Sequence, residues 1–260
     1  MQFILNPRSL KDARVLVTND DGYDAEGIKL LTEIAESLAK EVWVVAPSEE
    51  NSGAGHSLTV RRSIDVSQLS DRKFSVDGTP TDCVIIALNQ LMRDSKPDLV
   101  LSGINRGVNI AEDVTYSGTI GAAYEAAIAG VRAIAFSQEL SVNSEINWSS
   151  AKLSAADVIK KLYSQQWKAD CLLNVNFPSR QVNEGKIKIT TQGRHKKGDD
   201  VASDKTVVGV QRYKIGAVRL DNTPQQGTDV QALKNGIISI TPITINHTDN
   251  AFKDYLKGVL

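Results

Sequence analysis

The sequence predicts an α/β fold: a mostly parallel sheet with helices on both faces, plus a C-terminal antiparallel hairpin extension. Two observations lead to this prediction. Up to about residue 180, short apolar runs rich in β-branched residues alternate with segments whose apolar residues repeat at helical spacing. Such alternation is typical of right-handed crossovers between parallel strands. After Pro178, apolar and polar residues alternate with no helix between the segments, which is typical of antiparallel strands.

The first half of the predicted sheet begins with a strand over residues 15–17, which Gly22 ends. A helix follows over residues 26–38, and Pro47 closes a second strand over residues 42–46. The apolar residues of that helix lie at helical spacing along one face: Ile28, Leu31, Ile34, Ala35 and Leu38.

The next helix, over residues 80–92, has Thr79 as a capping residue and Pro80 at its first position. A strand over residues 98–102 and a helix over residues 118–129 follow, and Gly130 ends that helix. The core then continues with a strand, a helix and a strand over residues 133–136, 151–167 and 172–175.

The C-terminal part is predicted to contain two antiparallel strands or a long hairpin arm, over residues 186–191 and 207–220. Residues 193–200 between them are charged and turn-like. Because such an arm cannot bury both faces alone, we expect it to pack on the main body or on another subunit. A strand over residues 237–240 and a short helix complete the chain.

Composition excludes several classes of protein. The chain has 260 residues and a formal net charge of -1, so no bulk attraction to a nucleic-acid duplex or an anionic membrane is expected. Cys83 and Cys171 each lie in an apolar run, so we expect both to be buried and reduced, without disulfides or a Cys-rich zinc site. No signal peptide or membrane-spanning stretch is recognised, and a cytoplasmic location is expected.

Asp20 and Asp21 are the first candidates for chemistry, because they follow the first buried strand where it opens into a loop. The carboxyl ends of strands in open α/β sheets are where ligands bind. Two adjacent carboxylates repel each other, and a hard divalent cation removes that cost. The alternative is an ordinary polar turn with the sequence Asp-Asp-Gly.

Oxygen-donor residues also follow the next two core strands: Ser52 and Gly53 after one, Asn105 and Asn109 after the other. Serine hydroxyl and asparagine amide oxygens can bind a metal, and amide N–H groups can hold a phosphate oxygen. Each loop alone could be a solvent loop or a turn. Convergence of three strand ends at one edge favours a metal and phosphate site.

The segment Ser117, Gly118 and Thr119 begins a helix whose first turns contain small residues. Its free N–H groups and positive end favour an anion, although every helix needs such a cap. His56 or His195 could act as a general acid. The sequence contains no Gly-x-Ser-x-Gly elbow, Walker loop or His-Glu-x-x-His, so serine-hydrolase and P-loop chemistry are disfavoured.

Taken together and in this order, these segments resemble the SurE (survival protein E) family of metal-dependent nucleotidases and acid phosphatases. The matching segments are residues 19–22, 52–53, 57–59, 78–83, 102–109, 116–119, 174–178, 227–229 and 238–242. The resemblance implies a Rossmann-like core over residues 14–180 and an oligomerisation extension over residues 181–260. It gives residues 1–13 no role, and it implies a homodimer or homotetramer.

The resemblance also implies the ligand set. One divalent ion per subunit, Mg²⁺ or Mn²⁺, is held by Asp20, Asp21, Ser52 and Asn105, and the two aspartates are the catalytic residues. Six residues are assigned to the phosphate: Asn19, Gly53, Asn109, Ser117, Gly118 and Thr119. The implied reaction releases phosphate from nucleoside 5′- and 3′-monophosphates, and some family members also cut short polyphosphate.

Three alternatives stay open at this point. Water could attack the phosphorus, or Asp20 or Asp21 could attack directly and form an aspartyl-phosphate. The chain could also be a nucleotide-sensing module with the site but little turnover. A dehydrogenase or glycosyltransferase is disfavoured, because no Gly-x-Gly-x-x-Gly turn follows the first strand.

Overall fold

The structure, a computed structural model, describes residues 3–4, 8–141, 143–180, 186–204, 210–220 and 223–259. Within these ranges the strands are β1 (Phe3–Ile4), β2 (Arg14–Thr18), β3 (Glu41–Pro47), β4 (Val66–Ser70), β5 (Lys73–Val76), β6 (Leu99–Arg106), β7 (Arg132–Gln138), β8 (Trp167–Lys168), β9 (Cys171–Phe177), β10 (Ile187–Ile189), β11 (Lys196–Ser203), β12 (Tyr213–Leu220) and β13 (Ile238–Thr244). The helices are α1 (Glu26–Leu38), α2 (Pro80–Ile86, continued by a π-helical turn, Ala87–Leu91), α3 (Gly118–Ile128), α4 (Ser149–Tyr163), α5 (Asp229–Lys234) and α6 (Asn250–Val259).

Nine of these strands form one sheet in the order β10-β13-β9-β7-β6-β2-β3-β5-β4. The central pairs, from β9 through β7, β6 and β2 to β3 and β5, are all parallel. Antiparallel pairing occurs where β13 meets β9 and where β4 meets β5. The mostly parallel α/β sheet predicted from the sequence is therefore confirmed.

Helices cover both faces of the sheet, and each face has its own apolar core. Val15 and Val17 of β2 point into the core that contains residues of α1 and α4. Leu16, between them, points into the core that contains residues of α2 and α3. Because successive side chains of a strand point to opposite faces, this alternation explains why the three residues 15–17 are all apolar.

The local predictions at Cys83, Cys171 and Thr79 are also confirmed. Cys83 and Cys171 are buried and free. Thr79 begins α2 with a reciprocal capping box: its hydroxyl accepts from the Asp82 N–H at 3.1 Å, and the Asp82 carboxylate accepts from the Thr79 N–H at 2.8 Å. No helix in the described ranges is both long enough and apolar enough to cross a membrane.

The extension has the predicted antiparallel hairpin, but its strands are placed differently. β11 (Lys196–Ser203) pairs with β12 (Tyr213–Leu220), so most of the segment predicted to be a charged turn is a strand. Residues 205–209 of the predicted arm lie outside the described residues. The segment predicted as the other strand, residues 186–191, contains β10, which runs parallel to β13 in the main sheet. Alternation predicts which face a residue occupies but does not predict the strand's partner or direction.

The other differences lie at segment ends and in short elements. Helix α4 ends at Tyr163, before Trp167, which instead lies in β8. β8 pairs with Phe3–Ile4, so part of the N-terminal segment that had no predicted role forms a two-stranded sheet. The short elements β4, β5 and α5 were not predicted, because their sequences are too short to show a period.

Candidate active site

The carboxylate pair lies in the turn after β2, between the ends of β3 and β6. Asp20 is 3% exposed and Asn19 is fully buried. The Asn19 side-chain amide donates to the Gly22 carbonyl at 2.8 Å, so this residue holds the turn that presents both carboxylates. Gly22 has a φ of 95°, a conformation that favours glycine. The predicted phosphate contact of Asn19 stays a prediction, since in the structure Asn19 shapes the turn.

Helix α3 and the loop after β3 both contact Asp20. The Thr119 hydroxyl donates to the Asp20 carboxylate at 2.5 Å. A Cβ on Gly118 would lie 3.0 Å from Oδ2 of Asp20, so the helix backbone approaches the carboxylate where only glycine fits. The Asn51 N–H donates to the Asp20 backbone carbonyl at 2.7 Å, which fixes the loop that carries Ser52 and Gly53. The turn after β2, the loop after β3 and the start of α3 therefore meet at Asp20, and the start of α3 contacts its carboxylate.

The electrostatics of the pair disfavour two negative charges. Burial raises the pKa of Asp20, although hydrogen bonds from the Thr119 side chain and backbone oppose this rise. Burial and then the neighbouring charge of Asp20 raise the pKa of Asp21 to about 6, although the Arg106 N–H donates to its carboxylate at 3.1 Å. A bound cation would reverse both effects, because it stabilises the ionised carboxylates.

The two neutral ligand candidates lie next to residues that contact the aspartates. Asn105 precedes Arg106, and its amide nitrogen donates to the Gly107 carbonyl at 3.0 Å, so the amide oxygen remains for a ligand. Ser52 follows Asn51 on an exposed loop, where its hydroxyl donates to a Glu50 carboxylate oxygen at 2.8 Å. Among the described residues no three His, Cys, Asp or Glu side chains form a metal-binding group. The donors present are two carboxylates with neutral oxygens, a set that fits Mg²⁺ or Mn²⁺.

The start of α3 carries the three remaining small residues assigned to the phosphate. The Ser117 hydroxyl accepts from the Ile120 N–H at 3.1 Å and caps the helix. Gly118 and Thr119 lie against Asp20, so part of the anion-attracting helix end already faces a carboxylate of the protein. Thr119 therefore positions a catalytic candidate in addition to its predicted role at the phosphate.

Comparison with known proteins identifies the family of the chain. The family model described as "Survival protein SurE" matches residues 15–199 of the chain. The chain belongs to the SurE family. It is 46% identical over 246 residues to "5'-nucleotidase SurE" of Paramagnetospirillum magneticum, covering 94% of each chain. It is 43% identical over 253 residues to the protein of the same name from Rhodospirillum rubrum, covering 96% of this chain and 97% of that one.

The SurE fold is also shown by a solved structure. The crystal structure of the SurE protein from Aquifex aeolicus superposes with a TM-score of 0.82 at 37% sequence identity. The match covers 95% of this chain and 99% of that chain. The likeness thus extends over the sheet and the C-terminal elements together.

Asn109 of this SurE-family chain belongs to a buried polar network instead of an open loop. It is 6% exposed, and its side-chain amide donates to the Ser137 hydroxyl at 2.8 Å. Its N–H donates to the Asn176 side chain at 2.8 Å, and its carbonyl accepts from the Asn174 amide at 2.7 Å. The predicted phosphate contact of Asn109 stays a prediction, but its contacts show that it anchors the loop after β6.

Sequence reasoning assigned no function to Asn174, Asn176 and Asp229, which support this site. The two asparagines are two residues apart in the apolar strand β9, so they share one face, and that spacing was the available signal. Asp229 is fully buried, and its carboxylate accepts from the N–H groups of Ala111 at 3.0 Å and Gly193 at 2.8 Å. It therefore ties the turn before α3 to the base of the extension.

The two histidines considered as general acids pair with carboxylates elsewhere. Nε2 of His56 lies 2.9 Å from the Glu125 carboxylate on α3. Nε2 of His195 lies 3.5 Å from the Asp113 carboxylate, in the turn that precedes α3. These contacts place both histidines at the periphery of α3, and neither contact involves Asp20 or Asp21.

Proposed function

We propose that this chain is a 5′-nucleotidase, a hydrolase that releases phosphate from nucleoside 5′- and 3′-monophosphates with one divalent metal ion per subunit. Family membership and the names of its relatives support the nucleotidase activity. The observation that carries the proposal is the adjacent pair Asp20 and Asp21: Asp20 is buried and held against the start of α3 by Thr119, and Asp21 is half-buried beside it. Asp20, Asp21, Ser52 and Asn105 are the proposed ligands of Mg²⁺ or Mn²⁺.

The residues of the chain have separate tasks in the proposed reaction. The Thr119 hydroxyl and the Arg106 N–H each hold one carboxylate in place. Ser117 caps the start of α3, and this positive end of the helix dipole lies beside the Asp20 carboxylate. When bound, a divalent cation would neutralise the aspartate pair and polarise a phosphoryl oxygen. Hydrogen-bond donors held in fixed positions at the start of α3 would stabilise the negative charge of the phosphoryl group during transfer.

Phosphate release tests this proposal directly. The purified chain would be given nucleoside 5′- and 3′-monophosphates and tripolyphosphate, each with Mn²⁺, with Mg²⁺ and with EDTA. We expect metal-dependent release from the monophosphates that EDTA abolishes. Absence of release with either metal, from protein shown to be folded, would contradict the proposal and favour a nucleotide-binding module without turnover.

The nucleophile is decided by the stereochemistry at phosphorus. Direct attack by water is one displacement, so it inverts the configuration of a phosphorothioate substrate made chiral with oxygen isotopes. Attack by Asp20 or Asp21 displaces the nucleoside, and water then attacks the phosphorus of the aspartyl-phosphate and releases the carboxylate, so two displacements retain the configuration and an acid quench traps a phospho-enzyme. Inversion without a trapped phospho-enzyme would identify water as the nucleophile, and retention with a trapped phospho-enzyme would identify an aspartate.

We also propose that the chain forms a homodimer or homotetramer through its extension. Val201, Tyr213 and Ile215 of the β11–β12 hairpin are 61%, 63% and 76% exposed, a large apolar surface for a two-stranded arm. We propose that a second copy of the chain packs on this apolar surface of the hairpin. Light scattering coupled to gel filtration would give the mass, and a monomer at micromolar concentration would contradict the proposal.

A further inference from the structure

A cavity of about 440 Å³ lies along the face of α3 that starts at the proposed phosphate end. Ser117, Gly121 and Tyr124 line it, and their spacing puts them on one stripe of the helix. At about 1.5 Å per residue, Tyr124 lies roughly 10 Å along the helix axis from Ser117. That span matches the extent of a nucleoside from its 5′ oxygen to the far edge of its base.

Three rings form one wall of this cavity. The ring centroids of Tyr124 and His56 lie 5.2 Å apart, and those of Tyr124 and His247 lie 5.8 Å apart. The Tyr124 hydroxyl donates to the Ile245 carbonyl at 2.8 Å and is also hydrogen-bonded to Nε2 of His247. Both hydrogen bonds hold the hydroxyl end of the tyrosine, and the His56 and His247 rings lie at 54° and 62° to its plane, so the orientation of the ring is defined.

The chemistry of the lining fits a neutral planar group. None of the described lining residues is Asp, Glu, Lys or Arg. The lining also contains the amides of Gln192 and Asn246. The Gln192 nitrogen already donates to the Ala111 carbonyl at 2.7 Å and the Asn246 oxygen already accepts from the Thr248 N–H at 2.9 Å, so the Gln192 oxygen and the Asn246 nitrogen are the groups that can bond the edge of a base. A phosphate would find no lysine or arginine in the described lining, whereas an uncharged heteroaromatic ring finds both aromatic and amide partners.

We propose that this cavity binds the nucleoside part of the substrate, with the base against the Tyr124, His56 and His247 rings. The inference rests on the proposed nucleotidase function, because Ser117 connects the cavity to the end of α3 that contacts Asp20. The phosphate would lie at that end of the helix and the base about two helical turns further along. Tyr124 and His247 are then residues that determine specificity for base-bearing phosphate esters.

Paired substrates test the proposal. Tyr124→Ala and His247→Ala would be assayed on adenosine 5′-monophosphate and on glycerol 2-phosphate, which has no base. We expect the kcat/KM for the nucleotide to fall about tenfold through KM, as loss of one stacked base contact predicts, with less than a twofold change for glycerol 2-phosphate. Tyr124→Phe keeps the ring but loses both hydrogen bonds of the hydroxyl, so we expect a smaller loss for the nucleotide than with Tyr124→Ala. Ile128→Ala, one turn further along α3 and 51% exposed, is the matched control.

A binding measurement keeps the two proposals separate. Titration with adenosine alone should show binding to the wild-type chain and about tenfold weaker binding to Tyr124→Ala, whether or not phosphate is released. Equal losses on both esters would mean that Tyr124 is structural, and unchanged nucleotide kinetics would overturn the proposal. A change in oligomeric mass with unchanged KM would show that the cavity is an interface between copies. Adenosine binding without any phosphate release would contradict the nucleotidase function and leave the cavity assignment standing.

Discussion

The Thr119 hydroxyl donates a 2.5 Å hydrogen bond to Oδ1 of Asp20, across 99 residues of sequence. Through this bond the first turn of α3 fixes the carboxylate that follows β2. The same turn provides Gly118, whose missing side chain lets the helix approach Asp20. Asp20, a proposed metal ligand, is therefore in direct contact with the start of α3, where the phosphate is proposed to bind.

Replacing Thr119 with valine should lower kcat. Valine keeps the shape but removes the donor, so the buried Asp20 carboxylate loses a hydrogen bond worth roughly 1.5–3 kcal/mol. We expect kcat for nucleotide hydrolysis to fall about 10- to 100-fold with little change in KM. Thr119→Ser, which keeps the hydroxyl, is the control and should retain most of the activity. Equal activity of Thr119→Val and Thr119→Ser would contradict the role given to this bond.

Replacing Gly118 with alanine should obstruct the carboxylate. The new Cβ would lie 2.8 Å from Cβ of Asp20, closer than real Cβ atoms approach. We expect weaker metal binding and on the order of 100-fold lower kcat, since small displacements in a catalytic site are costly. Alanine favours helices over glycine, so lost helix propensity cannot explain the effect. Gly258→Ala, whose Cβ would meet open space, serves as the control, and calorimetric titration with Mn²⁺ measures the binding.

Replacing Asp21 with asparagine should stabilise the metal-free chain. Burial and the charge of Asp20 raise the pKa of Asp21 to about 6, so at neutral pH its ionisation costs folding free energy. A neutral amide removes that cost, and we expect the Tm in EDTA to rise by about 2–4 °C, the shift that roughly 1 kcal/mol causes in a chain of this size.

With Mn²⁺ the effect of Asp21→Asn should reverse. The wild type should gain stability by binding the ion and the variant should gain little. Asp24→Asn, at an exposed position in the same loop, is the control. A variant less stable than the wild type in EDTA would show that Asp21 is paired and not repelled.

Stability at low pH should depend on Asp82. Burial acts to raise the pKa of this carboxyl, but hydrogen bonds from Thr59 and Thr79 outweigh it and hold the pKa below its usual range. Its contribution is therefore present above the usual pKa and is lost as pH falls through the lower, folded-state value. Asp82→Asn should cost about 1 kcal/mol at neutral pH, the usual value of a helix cap.

The pH dependence of unfolding distinguishes a contribution of the ionised Asp82 carboxylate from a contribution of side-chain packing. Urea unfolding of the wild type and Asp82→Asn should give midpoints that converge as pH is lowered from neutral to about 2. Asp94→Asn, on the exposed turn after α2, should follow the wild type throughout. A difference between wild type and Asp82→Asn that is independent of pH would contradict the role of the ionised carboxylate.

The features that the sequence predicted correctly depend on short stretches of chain. The apolar strand before Asp20, the cap at Thr79 and the small residues of α3 each lie within one local segment, so their periodicity or capping pattern is visible without a structure. The resemblance to a family also assigned metal ligands to particular strand ends, and that assignment stays a prediction. These predictions could be made because parallel strands bring their carboxyl ends to one edge.

The features that were missed depend on contacts distant in sequence. The parallel pairing of β10 with β13 and the pairing of Phe3–Ile4 with Trp167–Lys168 are decided by tertiary packing. Asn109, placed in an open loop by its neighbours, is buried by asparagines of β9. Tyr124 and His247 meet across 123 residues, and no local pattern shows that their rings face one cavity.

Phosphate release from adenosine 5′-monophosphate with Mn²⁺, compared between the wild type and Asp20→Asn, tests the central claim most directly. Asp24→Asn is the matched control, because it removes a carboxylate from an exposed position in the same loop. We predict at least about a 100-fold loss of kcat for Asp20→Asn with an unchanged circular dichroism spectrum, and near-normal turnover for Asp24→Asn. Near-normal turnover of a folded Asp20→Asn variant would contradict the assignment of this carboxylate pair as the catalytic metal site.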